Sequence, residues 1–177
     1  MIFNLLLGCS NDDGPNETNI TYNFTSLPLK AGNQWVYNYY TPTDTGEHIN
    51  SIQTAITLNG IDGYQLNNDW LFDNDGCYYK DGNLYGCKIS DPTSTAEIVF
   101  PNNPSINQTW MVDTYTWKLE QKGISVTVPA GTFNCYKIIA TKNVNTYILY
   151  WAIEKGIIKF EDNAGTEKSE LKNIIIK

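Results

Sequence analysis

The chain has a single histidine, His48. A Ser-His-Asp triad would have to be built on it, and no nucleophile-elbow sequence accompanies it. A histidine-based zinc site usually wants more than one. A block of positive charge is also missing. The 12 basic residues are dispersed among 19 acidic ones, for a net charge of −7. This excludes the clustered Lys and Arg that nucleic-acid phosphates or anionic lipid headgroups require. No run of about 18 apolar residues exists, so no helix is expected to span a bilayer. No window has the periodicity of an amphipathic helix, and there is no internal repeat or second linker. Paired carboxylates are the remaining enzymatic route. Asp69, Asp73, Asp75, Asp113 and Glu154 qualify only as the acids of any acidic protein do. Asp73-Asn74-Asp75-Gly76 has neither the alternating ligands of an EF-hand nor its distal Glu, so it reads as a turn. The expectation is a protein that is not an enzyme, with no metal, no cofactor and no nucleic-acid partner.

What is present favours strands. Aromatics make up 13% of the chain, led by twelve Tyr and five Trp, and Asn and Gly supply turns. From Leu27 onward the apolar period is two. Trp35, Tyr37 and Tyr39 alternate along one face, as do Ile52, Thr54, Ile56 and Leu58, with Asn59-Gly60 as the following turn. Lys80-Asp81-Gly82-Asn83 reads as a tight hairpin between Tyr78-Tyr79 and Leu84-Tyr85. Ala96 to Phe100 is a short strand stopped by Pro101. Met111, Tyr115, Trp117 and Leu119 share a face of one long strand, and Ile124, Val126 and Val128 form another. Tyr136, Ile138 and Ala140 follow, then Tyr147 to Ile153, apolar on both faces and so central. Ile157 to Phe160 and Leu171 to Ile176 close the chain. About ten strands with short turns predict an all-β fold: one antiparallel domain over 25–177, with a curved sheet, half-barrel or barrel-like.

The first residues differ. Ile2 to Leu7 are mostly apolar and run into Gly8-Cys9. Leu6-Leu7-Gly8-Cys9 resembles the bacterial lipobox, although no Lys or Arg precedes the apolar run. The resemblance implies a signal peptide over 1–8 and a diacylglycerol on Cys9, with enough acyl chain for stable membrane anchoring. Residues 9–24 then form the lipidated Cys and a polar tether. Asp12 and Asp13 either resemble a surface-export signal or simply belong to that tether.

Three segments carry a wider resemblance. They are Leu27 to Tyr37 (LPLKAGNQWVY), Val126 to Phe133 (VTVPAGTF) and Tyr150 to Lys159 (YWAIEKGIIK). Their order is similar to a group of bacterial envelope lipoproteins with an early P-x-x-x-G-x-x-W-x-Y, a central V-P-A-G-T-F and a late Y-W/Y-A…G-x-x-K. The resemblance implies an antiparallel half-barrel similar to periplasmic lipoprotein carriers, at the outer membrane or cell surface. It implies no catalytic residue. Physically, Pro129 ends a strand and Gly131 allows a turn, so the central motif reads as a corner.

Three cysteines follow Cys9. Cys77 and Cys87 bracket the Asp81-Gly82 hairpin, and a three-residue loop would set them face to face, so a Cys77–Cys87 disulfide is expected. Cys135 is expected to be a buried thiol. For function, the curved sheet and its aromatics admit an apolar or lipid-like ligand, a surface glycan, or an envelope protein partner. Tyr39, Trp70 and Tyr78 are the candidate ligand-binding positions. Trp35, Trp110, Trp117 and Trp151 would otherwise fill the core.

Overall fold

A computed structural model of the chain describes residues 28–177, except Asn59, residues 68–73 and Pro92. Cys9 and Trp70 therefore lie outside the described residues. The described residues form twelve strands. The first six are β1 (Gln34–Tyr40), β2 (Thr45–Leu58), β3 (Ile61–Leu66), β4 (Gly76–Lys80), β5 (Asn83–Cys87) and β6 (Glu97–Phe100). The others are β7 (Thr109–Val112), β8 (Tyr115–Val128), β9 (Gly131–Lys142), β10 (Asn145–Ala152), β11 (Gly156–Asp162) and β12 (Lys168–Ile175). All belong to one antiparallel sheet, as the period-two pattern predicted, with two more strands than expected.

The sheet order is β6-β5-β4-β3-β2-β1-β12-β11-β10-β9-β8-β7. Every strand but two pairs with both of its neighbours in sequence, and the first and last strands pair with each other. The exception is the seam between β6 and β7, where the curled sheet meets itself through side chains. The Trp110 indole donates to the Val99 carbonyl at 3.1 Å, and Glu97 accepts from the Asp113 N–H at 2.5 Å and from Asn74 at 2.9 Å. The outcome is a nearly closed barrel with one unladdered joint. Its curvature comes from long strands that change partners. The first half of β2 pairs with β1, and the half from Ile52 to Leu58 pairs with β3, with an irregularity between Ile52 and Thr54.

Turn chemistry corrects two expectations. Asp81 and Gly82 both have positive φ (51° and 78°), a two-residue turn that pairs Lys80 with Asn83. Cys77 then stands opposite Gly86, and Cys87 opposite Gly76. Directly opposed residues share a face and adjacent residues do not, so the two sulfurs lie on opposite faces of the sheet. The expected disulfide is absent: Cys77, Cys87 and Cys135 are all free and buried. Burial pushes the Cys77 and Cys135 thiols up to about 12. The second correction concerns Met111, which is not on the strand of Tyr115 and Trp117. Asp113 (φ 52°) turns the chain, and β7 and β8 form a hairpin with Met111 opposite Thr116 and 53% exposed. Conversely, the runs ending at Leu119 and Val128 form one strand, β8. Irregularities between Leu119 and Ile124 shift its inward parity from odd to even.

Aromatics fill the interior. Trp35, Trp117, Trp151 and Phe100 are each 0% exposed. Phe100 crosses from β6 to lie 4.9 Å from the Trp151 ring, 5.8 Å from Trp110 and 6.1 Å from Tyr136. The four tryptophans named from the sequence are thus core, with Trp110 partly buried against it.

Two outcomes are expected. Phe100→Ala removes the ring that joins the two sides of the interior and should cost about 3–5 kcal/mol in urea unfolding. In denaturant without reductant, Cys77, Cys87 and Cys135 should all titrate as thiols, and slowly in the native state; a count of one would restore the disulfide.

Candidate functional site

The residues singled out from the sequence do not converge. Tyr78 stacks on Tyr85, ring centroids 5.1 Å apart and nearly coplanar at 2°. Its partner Gly63 admits no side chain, because a Cβ there would lie 2.8 Å from the Cys77 carbonyl oxygen. Tyr78 is buried and borders a cleft of about 210 Å³ with Leu58, Cys87, Lys88 and Asp91. Tyr39 lies elsewhere, on the concave face of β1. Asp75 holds the Ile89 and Ser90 N–H groups, as a turn residue does.

The neighbourhood of Tyr39 is the more informative one. It stands opposite Ser169 of β12 and Gly46 of β2. Ser169 opposes Phe160, and Phe160 opposes Leu149. Tyr147, two residues from Leu149, opposes Ala140, and Ala140 opposes Trp117, two residues after Tyr115. Residues directly opposed, and alternate residues along a strand, share a face. Tyr115, Tyr147, Phe160, Ser169, Tyr39 and His48 therefore form one strip across six positions of the concave surface. The row of Trp117, Leu149 and Leu171 beside it is fully buried, whereas every member of the strip is partly exposed. The strip is the open end of the barrel.

Contacts hold the strip in place. Tyr115 meets Tyr147 edge-on at 5.9 Å, and Tyr147 stacks on Phe160 at 5.2 Å. On the other side His48 stacks on Tyr37 at 5.0 Å and tilts against Tyr39 at 6.2 Å. Tyr39 lies flat over β2, where a Cβ on Gly46 would come within 2.8 Å of its ring, so a side chain there would have to displace it. Its hydroxyl donates to Asp44 at 2.7 Å, and that hydrogen bond raises the phenol above its ordinary range. Lys142, two residues beyond Ala140, carries its ammonium 5.1 Å from the Tyr115 ring centroid. Asp162 opposes Tyr147, but its carboxylate accepts from the Thr166 N–H at 2.7 Å, the Thr166 hydroxyl at 2.5 Å and the Glu167 N–H at 3.1 Å. These bonds hold its carboxyl below the usual range.

Sequence reasoning named Tyr39 as a candidate, placed Tyr115 and Tyr147 on strands without singling them out, and weighed His48 only as a catalytic or zinc residue. Alternation was the right signal for their face. It could not say where along each strand burial ends, because that depends on which strands stop short. The strip offers partly exposed rings that carry phenolic hydroxyls. Among the described residues no three His, Cys, Asp or Glu side chains gather as metal ligands do.

No family model and no curated protein sequence matches the chain. Two solved structures are similar. One is a "putative lipoprotein" from Parabacteroides distasonis, 15% identical, with a TM-score of 0.52, covering 84% of this chain and 97% of that one. The other is a "putative exported protein with YmcC-like fold" from Bacteroides fragilis, 14% identical, with a TM-score of 0.50, covering 84% and 98%. At these identities the shared property is the fold.

Burial lowers the His48 pKa below its ordinary 6.5. The unfolded chain then binds the proton more readily than the native one, so stability is complete above pH 6.5 and falls as pH drops through the lower native pKa. A titration followed by NMR should place His48 below 6.5, and His48→Gln should flatten the urea midpoint between that value and pH 6.5.

Proposed function

We propose that this chain is a non-catalytic, lipid-anchored protein of the bacterial envelope, held through Cys9 at the outer membrane, that binds a glycan at the open end of its sheet. The carrying observation is the strip of partly exposed Tyr115, Tyr147, Phe160 and Tyr39 on one concave face. Ring faces suit the C–H faces of sugars, and phenolic hydroxyls suit their hydroxyl groups. The lipobox resemblance supports the location, and the fold shared with a "putative lipoprotein" agrees with it.

An apolar carrier is the weaker reading because of the core. The interior volume that an acyl chain would need is taken by Trp35, Trp117, Trp151 and Phe100, all 0% exposed. What the open end presents is tyrosine rather than leucine or valine.

The test is titration of the full chain with a panel of oligosaccharides, read by calorimetry. Tyr39→Ala should weaken binding about tenfold, the scale of one aromatic contact, with the urea midpoint little changed; Tyr147→Ala should weaken it likewise but also lower the midpoint, because that ring packs on Tyr115 and Phe160. If no glycan binds, and native mass spectrometry instead shows a co-purifying lipid, the carrier reading replaces this one.

A further inference from the structure

We infer that the glycan is anionic and that Lys142 is the residue that selects it. This rests on the glycan reading above and adds the ligand's charge. In a chain of net charge −7, three of the half-buried lysines are held by carboxylates. Lys137 pairs with Glu120 at 2.7 Å, Lys159 with Glu161 at 2.6 Å and Lys168 with Glu170 at 3.2 Å, and the exposed Lys172 pairs with Glu47. Lys142 is also half-buried, yet among the described residues no carboxylate lies within ion-pair distance of it. Its ammonium is held over the Tyr115 ring.

The acids nearest the strip are otherwise engaged. Asp162 is folded into its own turn by Thr166 and Glu167, and Asp44 accepts from the Tyr39 hydroxyl and the Thr45 N–H at 2.8 Å. Asp113, on the β7–β8 turn, is bonded to the Thr114 hydroxyl at 2.8 Å and feels Lys142 only at longer range. Among the described residues, the Tyr115 end of the strip thus carries a cation with no carboxylate in ion-pair contact. Ring contacts run from Lys142 through Tyr115 and Tyr147 to Phe160. A sugar bound beside Tyr115 would set an exocyclic group within reach of the Lys142 ammonium, which lies 5.1 Å from that ring centroid. A carboxylate there, as in a uronic acid, gains a charge-assisted hydrogen bond that a neutral sugar cannot make. A sulfate ester offers the same chemistry.

Calorimetry on the full chain would use three probes: trigalacturonate, its fully methyl-esterified form and a sulfated trisaccharide. The acid should bind at least tenfold tighter than the ester, and the difference should shrink with added salt. Lys142→Gln should abolish it while leaving ester binding intact, and Lys142→Arg should keep most of it. Preference for the sulfated probe over both others would retain the anion and make sulfate its source. Equal affinity for acid and ester, or a preference that survives Lys142→Gln, would overturn the inference and leave glycan binding standing. Failure of all three probes, with neutral glycans also unbound, would remove both.

Discussion

The structure depends on how it closes the gap where β11 and β12 part. Their ladder covers only Lys159 to Glu161. Before Lys159 the edge of β11 that faces away from β10 has no ladder partner, and a buried carbonyl left unpaired there is costly. β1 answers from two strands away. The Trp35 indole donates to the Lys155 carbonyl at 2.7 Å, and the Tyr37 hydroxyl to the Ile157 carbonyl at 2.8 Å. On the β12 side the Ala130 N–H, at the tip of the β8–β9 hairpin, donates to the Leu171 carbonyl at 3.0 Å. That hairpin extends past the end of β10 and lies against β11 and β12, which buries Val126 and Val128.

The three sequence segments that resemble envelope lipoproteins meet at this one place. Trp35 and Tyr37 come from the first, Val126 to Gly131 from the second, Lys155 and Ile157 from the third. Gly131 and Gly156 have positive φ, 132° and 83°, so the hairpin tip and the corner can turn there. These segments maintain the shape of the barrel and do not form the exposed strip. The division is physical: one end of the interior is packed so that the other can remain open.

Much of the fold was legible from alternation alone, because a strand with one buried face writes its period into the sequence. The all-β class, the central position of Tyr147 to Ile153 and the tight turn at Asp81-Gly82 all follow from that. The turn's length did not, and a difference of one residue put Cys77 and Cys87 on opposite faces. The β8 irregularities were hidden for a related reason: an extra residue changes parity and looks like the start of a new strand. The strip was half legible. Tyr39 was named from the sequence as an aromatic suited to ligand stacking. Tyr115, Tyr147, Phe160 and Lys142 come from strands far apart in the chain, and only the register sets them side by side.

The joint between β6 and β7 has a mechanical side. Because the ends of the sequence pair with each other, β1 is laddered on both flanks, to β2 and to β12. Tension applied to the chain ahead of Gln34 runs along the axis of β1 and across hydrogen bonds that lie perpendicular to it, so two ladders share the load in shear. The joint, fastened by Trp110, Phe100 and Glu97, sits on the far side of the sheet from that line of force. The weakest closure of the barrel is therefore also the one that a pull on its leading end loads least.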